Sequence, residues 1–118
     1  MTTPEGKVKK LTNEVLDKLG CYRFMPVQRG FGGAGLDYFC CYLGRFFAVE
    51  TKAPKKKLRP RQVVTAKVIA AARGTVFVVR DHADLFRLQR VLNAGDNYGM
   101  IFDELGDEKT YGEFWWHP

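Results

Sequence analysis

Asp37, Glu50 and Lys52 are the residues whose types and spacing suggest chemistry. Two carboxylates set directly across a strand pair repel and normally cost stability. A hard divalent cation removes that penalty. Mg2+ is commonly held by one or two carboxylates, with water and substrate phosphate completing its shell. A lysine on the same face adds positive charge beside a phosphate or a nucleophilic water. The set fits metal-assisted hydrolysis of a phosphodiester. The bland alternative is an edge hairpin whose charges point into water, and spacing alone weighs the two equally.

A β-hairpin must position these residues. The runs from Leu36 to about Tyr42 and from Arg45 to Lys52 are apolar and aromatic, which favours strands. With Leu43-Gly44 as the two turn residues, Tyr42 faces Arg45, and counting outward puts Asp37 opposite Glu50. Glu50 and Lys52 then share a face, because side chains alternate with a period of two. Leu43 is unfavoured where φ must be positive, and a three-residue turn with a bulge would move Asp37 by one place.

Three segments carry a resemblance: Gly35-Leu36-Asp37, then Gly44-Arg45-Phe46-Phe47-Ala48-Val49-Glu50-Thr51-Lys52-Ala53-Pro54, then Pro60-Arg61-Gln62. Together they resemble the PD-(D/E)XK nuclease superfamily, and more narrowly the small stand-alone VRR-NUC nucleases of phages. The opening Thr3-Pro4-Glu5-Gly6-Lys7-Val8 is similar to the start of such proteins, so the likeness spans roughly residues 3–80. Leu36 replaces the Pro of the family label and leaves Asp37 intact. The resemblance implies an α/β, restriction-endonuclease-like core: a small mixed β-sheet flanked by helices, in αβββαβ order. It implies Mg2+ or Mn2+ on Asp37 and Glu50, with the Thr51 carbonyl as a further oxygen. Lys52 would orient or deprotonate the water, or stabilise charge developing on the phosphate. Gln62 would be a fourth active-site residue; otherwise it is an ordinary exposed glutamine. Glu5 would lie beside the metal; otherwise it is a first-turn acid favoured by the helix dipole. The substrate implied is duplex or branched DNA, as for Holliday-junction resolvases. One chain offers one site and a paired cut needs two, so a homodimer is expected. The rival is a DNA-binding or packaging accessory protein that does not cleave.

At 118 residues the chain reads as one nuclease domain, residues 1–118, with an acidic, aromatic C-terminal extension from about 96 to 118. No apolar run reaches the length of a membrane span and no signal peptide opens the sequence, so a cytoplasmic protein is expected, in the host cytoplasm if viral. The three cysteines include adjacent Cys40-Cys41, without a C-x-x-C spacing, which argues against zinc and a disulfide framework. Net charge is +6 but uneven. Residues 1–95 carry 18 Lys and Arg against 7 acids, and residues 96–118 carry one Lys against 6 acids. A basic body suggests a polyanion partner. Arg29, in a glycine-rich stretch, and Lys55, Lys56, Lys57, Arg59 and Arg61 are the candidate DNA contacts. No Gly-Lys-Ser/Thr follows the glycines, so no nucleotide cofactor is expected.

The remaining elements follow from periodicity. Thr3 and Pro4 open a helix with Val8, Leu11, Val15, Leu16 and Leu19 on one face, ending at Gly20. Cys21 to Val27 reads as a strand. Pro60 opens a second helix, with Val64, Val68 and Ala71 proposed as its core face, Ala66, Ala70 and Ala72 permitting close packing, and Gly74 as its stop. Thr75 to Val79 reads as a central strand buried on both sides. Asp81 caps a third helix with Leu85, Leu88 and Leu92 inward, and Phe86 is read as packing. The aromatic tail packs on the body, covers a basic groove or enters a partner.

Overall fold

The computed structural model describes residues 3–26 and 36–117. Helix α1 (Pro4–Leu19) begins where the Thr3 hydroxyl accepts the Gly6 N–H at 3.0 Å, and ends at Gly20. Its buried stripe is Val8, Thr12 and Leu16, with Leu11, Val15 and Leu19 packed at the margin. The Thr12 hydroxyl is satisfied by the Val8 carbonyl one turn back, so it can be buried among apolar side chains.

Among the described residues, five strands lie side by side in chain order: β1 (Tyr22–Phe24), β2 (Tyr38–Tyr42), β3 (Arg45–Thr51), β4 (Thr75–Val79) and β5 (Ile101–Phe102). The first three pair antiparallel and the last three parallel. The hairpin register is the expected one, with Tyr42 opposite Arg45 and Tyr38 opposite Val49. Leu43 and Gly44 both take positive φ, 51° and 80°, the primed turn that matches strand twist. Leucine therefore occupies a position that favours Asn or Gly. Parallel pairing needs crossovers, and these are α2 (Pro60–Ala71) between β3 and β4, and α3 (His82–Ala94) between β4 and β5.

Alternation sorts the strands between two cores. Phe47, Val49, Phe77 and Val79 join Val8, Leu16, Leu85, Leu88 and Leu92 on the α1/α3 face. Ala48, Val76 and Val78 join Leu36, Ala66 and Ala70 on the α2 face. All five β4 residues are buried, as its apolar run implies.

Four expectations are corrected. Helix α2 packs through Ala66 and Ala70, with Val63 and Ile69 beside them, whereas Val64 and Val68 face solvent. Small side chains let the helix sit close to the sheet, and that gain decides the buried face. Gly74 follows the helix for space rather than for φ: the left-handed residue is Arg73, and a Cβ on Gly74 would meet Ile69 Cγ2 at 2.7 Å. Phe86 projects from α3 into solvent. The strand expected from Cys21 to Val27 is shorter, with Met25 and Pro26 beyond it. Gln28, Arg29 and the glycine-rich stretch lie outside the described residues.

The chain from Asp96 onward supplies β5, helix α4 (Glu108–Tyr111) and the bridge from Trp115 to Ile101. Ile101, Phe102 and Tyr111 are buried in the two cores. The order αβββαβ thus continues through a further helix and strand. No helix among the described residues is long and apolar enough to cross a membrane.

Candidate active site

Glu50 is the next-to-last residue of β3, and its parity puts its side chain on the α2 face. Backbone register brings Asp37 alongside, and the Asp37 N–H donates to Glu50 Oε1 at 3.0 Å. Asp37 sits at a bend just before β2. Leu36 and Tyr38 fall in opposite cores, so the chain turns at Asp37 and strict alternation does not set its side chain. Instead Thr51 holds it: the Thr51 N–H and hydroxyl donate to Asp37 Oδ2 at 2.9 and 2.6 Å. Thr51 thus enters the site as a double donor to Asp37.

Lys52 returns to the Glu50 side, with Nζ 3.7 Å from Glu50 Oε2. Gln62 reaches the same oxygen from the first turn of α2, its Nε2 donating at 2.9 Å. Its other amide atom, Oε1, accepts the Arg59 N–H at 2.9 Å, which is half of a capping box. The helix terminus therefore fixes which end of the Gln62 amide faces Glu50. From the far side, α1 presents Lys9, with Nζ 3.7 Å from Asp37 Oδ1 and 3.9 Å from Glu5 Oε2. Lys9 was absent from the sequence candidates, although its place one turn after Glu5 carries the signal. These groups line a polar cavity of about 350 Å³, together with Met25, Pro26 and Arg59.

Burial dominates the electrostatics. Removal from water pushes the Glu50 carboxyl up to about 7, and the negative charge of Asp37 adds to the effect. Lys52 and the Asp37 N–H pull the other way without cancelling it. A buried carboxyl crowded by a second acid fits a divalent cation, whose charge would offset both the burial and the repulsion. Asp37 and Glu50 are hard oxygen donors, among the described residues Asp37 Oδ1 faces a lysine at 3.7 Å, and the cavity leaves room for water and phosphate oxygens. Among the described residues no three His, Cys, Asp or Glu side chains gather as a ready-made cage, so Asp37 and Glu50 are the side chains that would hold an ion here.

The candidate DNA contacts fall into two groups. Arg59 lines the cavity. Lys55, Lys56, Lys57 and Arg61 are exposed on the loop and first helical turn just beyond it. Buried Leu58 anchors that loop, and the Lys56 carbonyl accepts Arg80 Nε at 2.9 Å. Arg29 lies outside the described residues.

No family model and no curated protein matches this chain. Among solved structures, a VRR-NUC domain superposes with a TM-score of 0.67 at 24% identity, over 75% of this chain and 97% of that one. The chain has the fold of that domain: the mixed sheet flanked by helices that the resemblance implied.

Proposed function

We propose that this chain is a metal-dependent endodeoxyribonuclease that hydrolyses phosphodiester bonds in branched or duplex DNA. One observation carries the reading. At the mouth of a polar cavity, the Asp37 N–H is bonded to Glu50 while both carboxylates stay beside that opening, with Lys52 and Gln62 on the same Glu50 oxygen. The likeness of fold to a VRR-NUC domain supports it.

In this reading Asp37 and Glu50 hold Mg2+ or Mn2+, with the Thr51 carbonyl within the same strand end. When bound, the ion would lower the pKa of a coordinated water and neutralise charge on the scissile phosphate. The chain's own residues do the rest. Thr51 fixes the Asp37 carboxylate, and Gln62 fixes that of Glu50. Lys52 places a proton donor beside Glu50, where it orients the attacking water or takes charge from the phosphate. Lys9 and Glu5 close the opposite wall. Arg59, Lys55, Lys56, Lys57 and Arg61 contact phosphates on either side of the cut, and such contacts confer salt dependence. A paired cut in a branched substrate calls for two copies of the site, hence a homodimer.

Removing a metal-holding carboxylate should abolish cleavage and spare the fold. Glu50→Ala is expected to lose at least about 10³-fold in Mg2+-dependent nicking of plasmid and four-way-junction DNA while keeping its circular dichroism spectrum. Full Mg2+-dependent cleavage by that variant would overturn the assignment.

A further inference from the structure

Asp37 Oδ1 is the carboxylate oxygen that an ion would take most readily. Thr51 fills Oδ2 with two donors at 2.9 and 2.6 Å. The Asp37 N–H fills Glu50 Oε1 at 3.0 Å, and Gln62 fills Glu50 Oε2 at 2.9 Å. Among the described residues Asp37 Oδ1 accepts no such hydrogen bond, and the Lys9 ammonium stands beside it. One cation therefore already holds the place where another would enter.

Lys9 and Lys52 stand at the same 3.7 Å from their acids but differ in freedom. The Lys52 side chain is 9% exposed, just past β3, whereas that of Lys9 is 38% exposed. Lys9 also has a second acid in reach: Glu5 Oε2 lies 3.9 Å from the same Nζ, one helical turn back. Neither contact is short enough for a hydrogen bond, so the ammonium is shared between two acids and committed to neither. The backbone around it is fixed. Val8 is buried beside it, and the Tyr38 hydroxyl donates to the Lys9 carbonyl at 3.5 Å. The side chain alone is left to move, and rotation about its own bonds carries it from Asp37 to Glu5.

We infer that Lys9 is an exchangeable counter-cation of this site, neutralising Asp37 in the ion-free protein and passing to Glu5 when a divalent ion takes Asp37 Oδ1. The inference rests on the reading of Asp37 and Glu50 as the ion's ligands, and deepens it by giving the site a threshold. The lysine keeps its charge in both positions, so no proton moves. Because the two cations compete for one oxygen, Lys9 weakens uptake and sets the divalent-ion concentration at which the site loads. Glu5 is then a berth for the ammonium rather than a ligand. A lysine that only braced α1 against the sheet would, on removal, leave ion affinity unchanged or lower.

The test is Mn2+ binding to the full chain without DNA, read from the electron paramagnetic resonance of the free ion. The proteins compared are wild type, Lys9→Met, Lys9→Arg, Glu5→Gln and the Lys9→Met/Glu5→Gln double variant. Glu50→Gln marks uptake elsewhere, and circular dichroism checks each fold. Lys9→Met keeps the length of the side chain and removes its charge. Its Kd should fall about tenfold, the order of the repulsion between an ammonium and a dication a few ångströms apart in water. Lys9→Arg keeps the charge and should restore the wild-type Kd to within about threefold. Glu5→Gln should weaken binding by about threefold in the wild-type background and by clearly less in the Lys9→Met background, where no ammonium needs the berth. A Lys9→Met Kd equal to or above that of wild type overturns the proposal. Equal losses from Glu5→Gln in both backgrounds also overturn it, because Glu5 would then face the ion itself. Wild type that binds Mn2+ no better than Glu50→Gln removes both this proposal and the ligand reading beneath it. Tighter binding in Lys9→Met, with no nicking of plasmid DNA by wild type, supports the exchange and removes the nuclease assignment.

Discussion

Two clusters of charge sit at the carboxyl ends of neighbouring parallel strands, and they are completed in opposite ways. One follows β4 and β5. Arg80 Nη1 meets Asp103 Oδ1 at 2.6 Å, Tyr111 Oη donates to Asp103 Oδ2 at 2.6 Å, and the Leu105 N–H adds a bond at 3.1 Å. One anion faces one cation, and all three side chains are buried. Burial and the Asp103 hydrogen bond push the Tyr111 phenol well above its usual range, which keeps it a donor. The other cluster ends β3. There each acid has a lysine at 3.7 Å, Lys52 beside Glu50 and Lys9 beside Asp37, and the group opens onto a cavity. Both clusters are desolvated, but only the first has a counter-charge in direct hydrogen-bonding contact. Buried charge therefore does not identify a site by itself, since Arg80 even keeps a buried Nη2 without a hydrogen-bond partner among the described residues; what sets the second cluster apart is that its charges line an open cavity.

The largest expected effect breaks the closed cluster. Asp103→Ala leaves Arg80 buried without its partner and the Tyr111 hydroxyl without an acceptor, which should lower stability by about 3–5 kcal/mol in urea denaturation. The open cluster should respond to pH instead. Glu50 titrates at about 7 when folded, against the ordinary value of 4.5. A carboxyl raised on folding contributes stability that is fully present below about pH 4.5 and is lost as pH rises through 7. The loss should total about 3 kcal/mol in metal-free protein and vanish in Glu50→Gln. Excess Mn2+ should reverse the trend, because the ion binds only the deprotonated form. A flat difference between the two proteins from pH 5 to 8 would contradict the assignment of that shift. The smallest effect sharpens the boundary between cavity and loop. Lys56→Ala should leave stability within about 0.5 kcal/mol and reduce by about 1 the slope of log affinity for DNA against log salt.

The sequence carried the open cluster better than the closed one. A two-residue turn fixes a hairpin register arithmetically, so Asp37 and Glu50 could be set side by side from numbering alone. Capping chemistry was equally local: Thr3 and Asp81 accept N–H groups three residues ahead, as their types suggest. Arg80, Asp103 and Tyr111 meet through tertiary packing, and no spacing in the chain announces that. The two-residue β5 was hidden for the same reason, since it exists only because β4 offers an edge. Helix α2 was legible in part: Ala66 and Ala70 read as permitting close packing and are the buried pair, but periodicity gives the core face to Val64 and Val68, because it does not weigh close approach against side-chain size. Thr51 was read through its carbonyl, yet its N–H and hydroxyl are what hold Asp37, a consequence of the bend at that residue.

The account turns on whether the acidic opening takes up a divalent cation. Anomalous diffraction from crystals soaked in Mn2+ at pH 8 locates the ion directly. A single strong peak between the Asp37 and Glu50 carboxylates, absent in Glu50→Gln, is the expected result. Density at those carboxylates with no manganese peak, or a peak held by other residues, would contradict it.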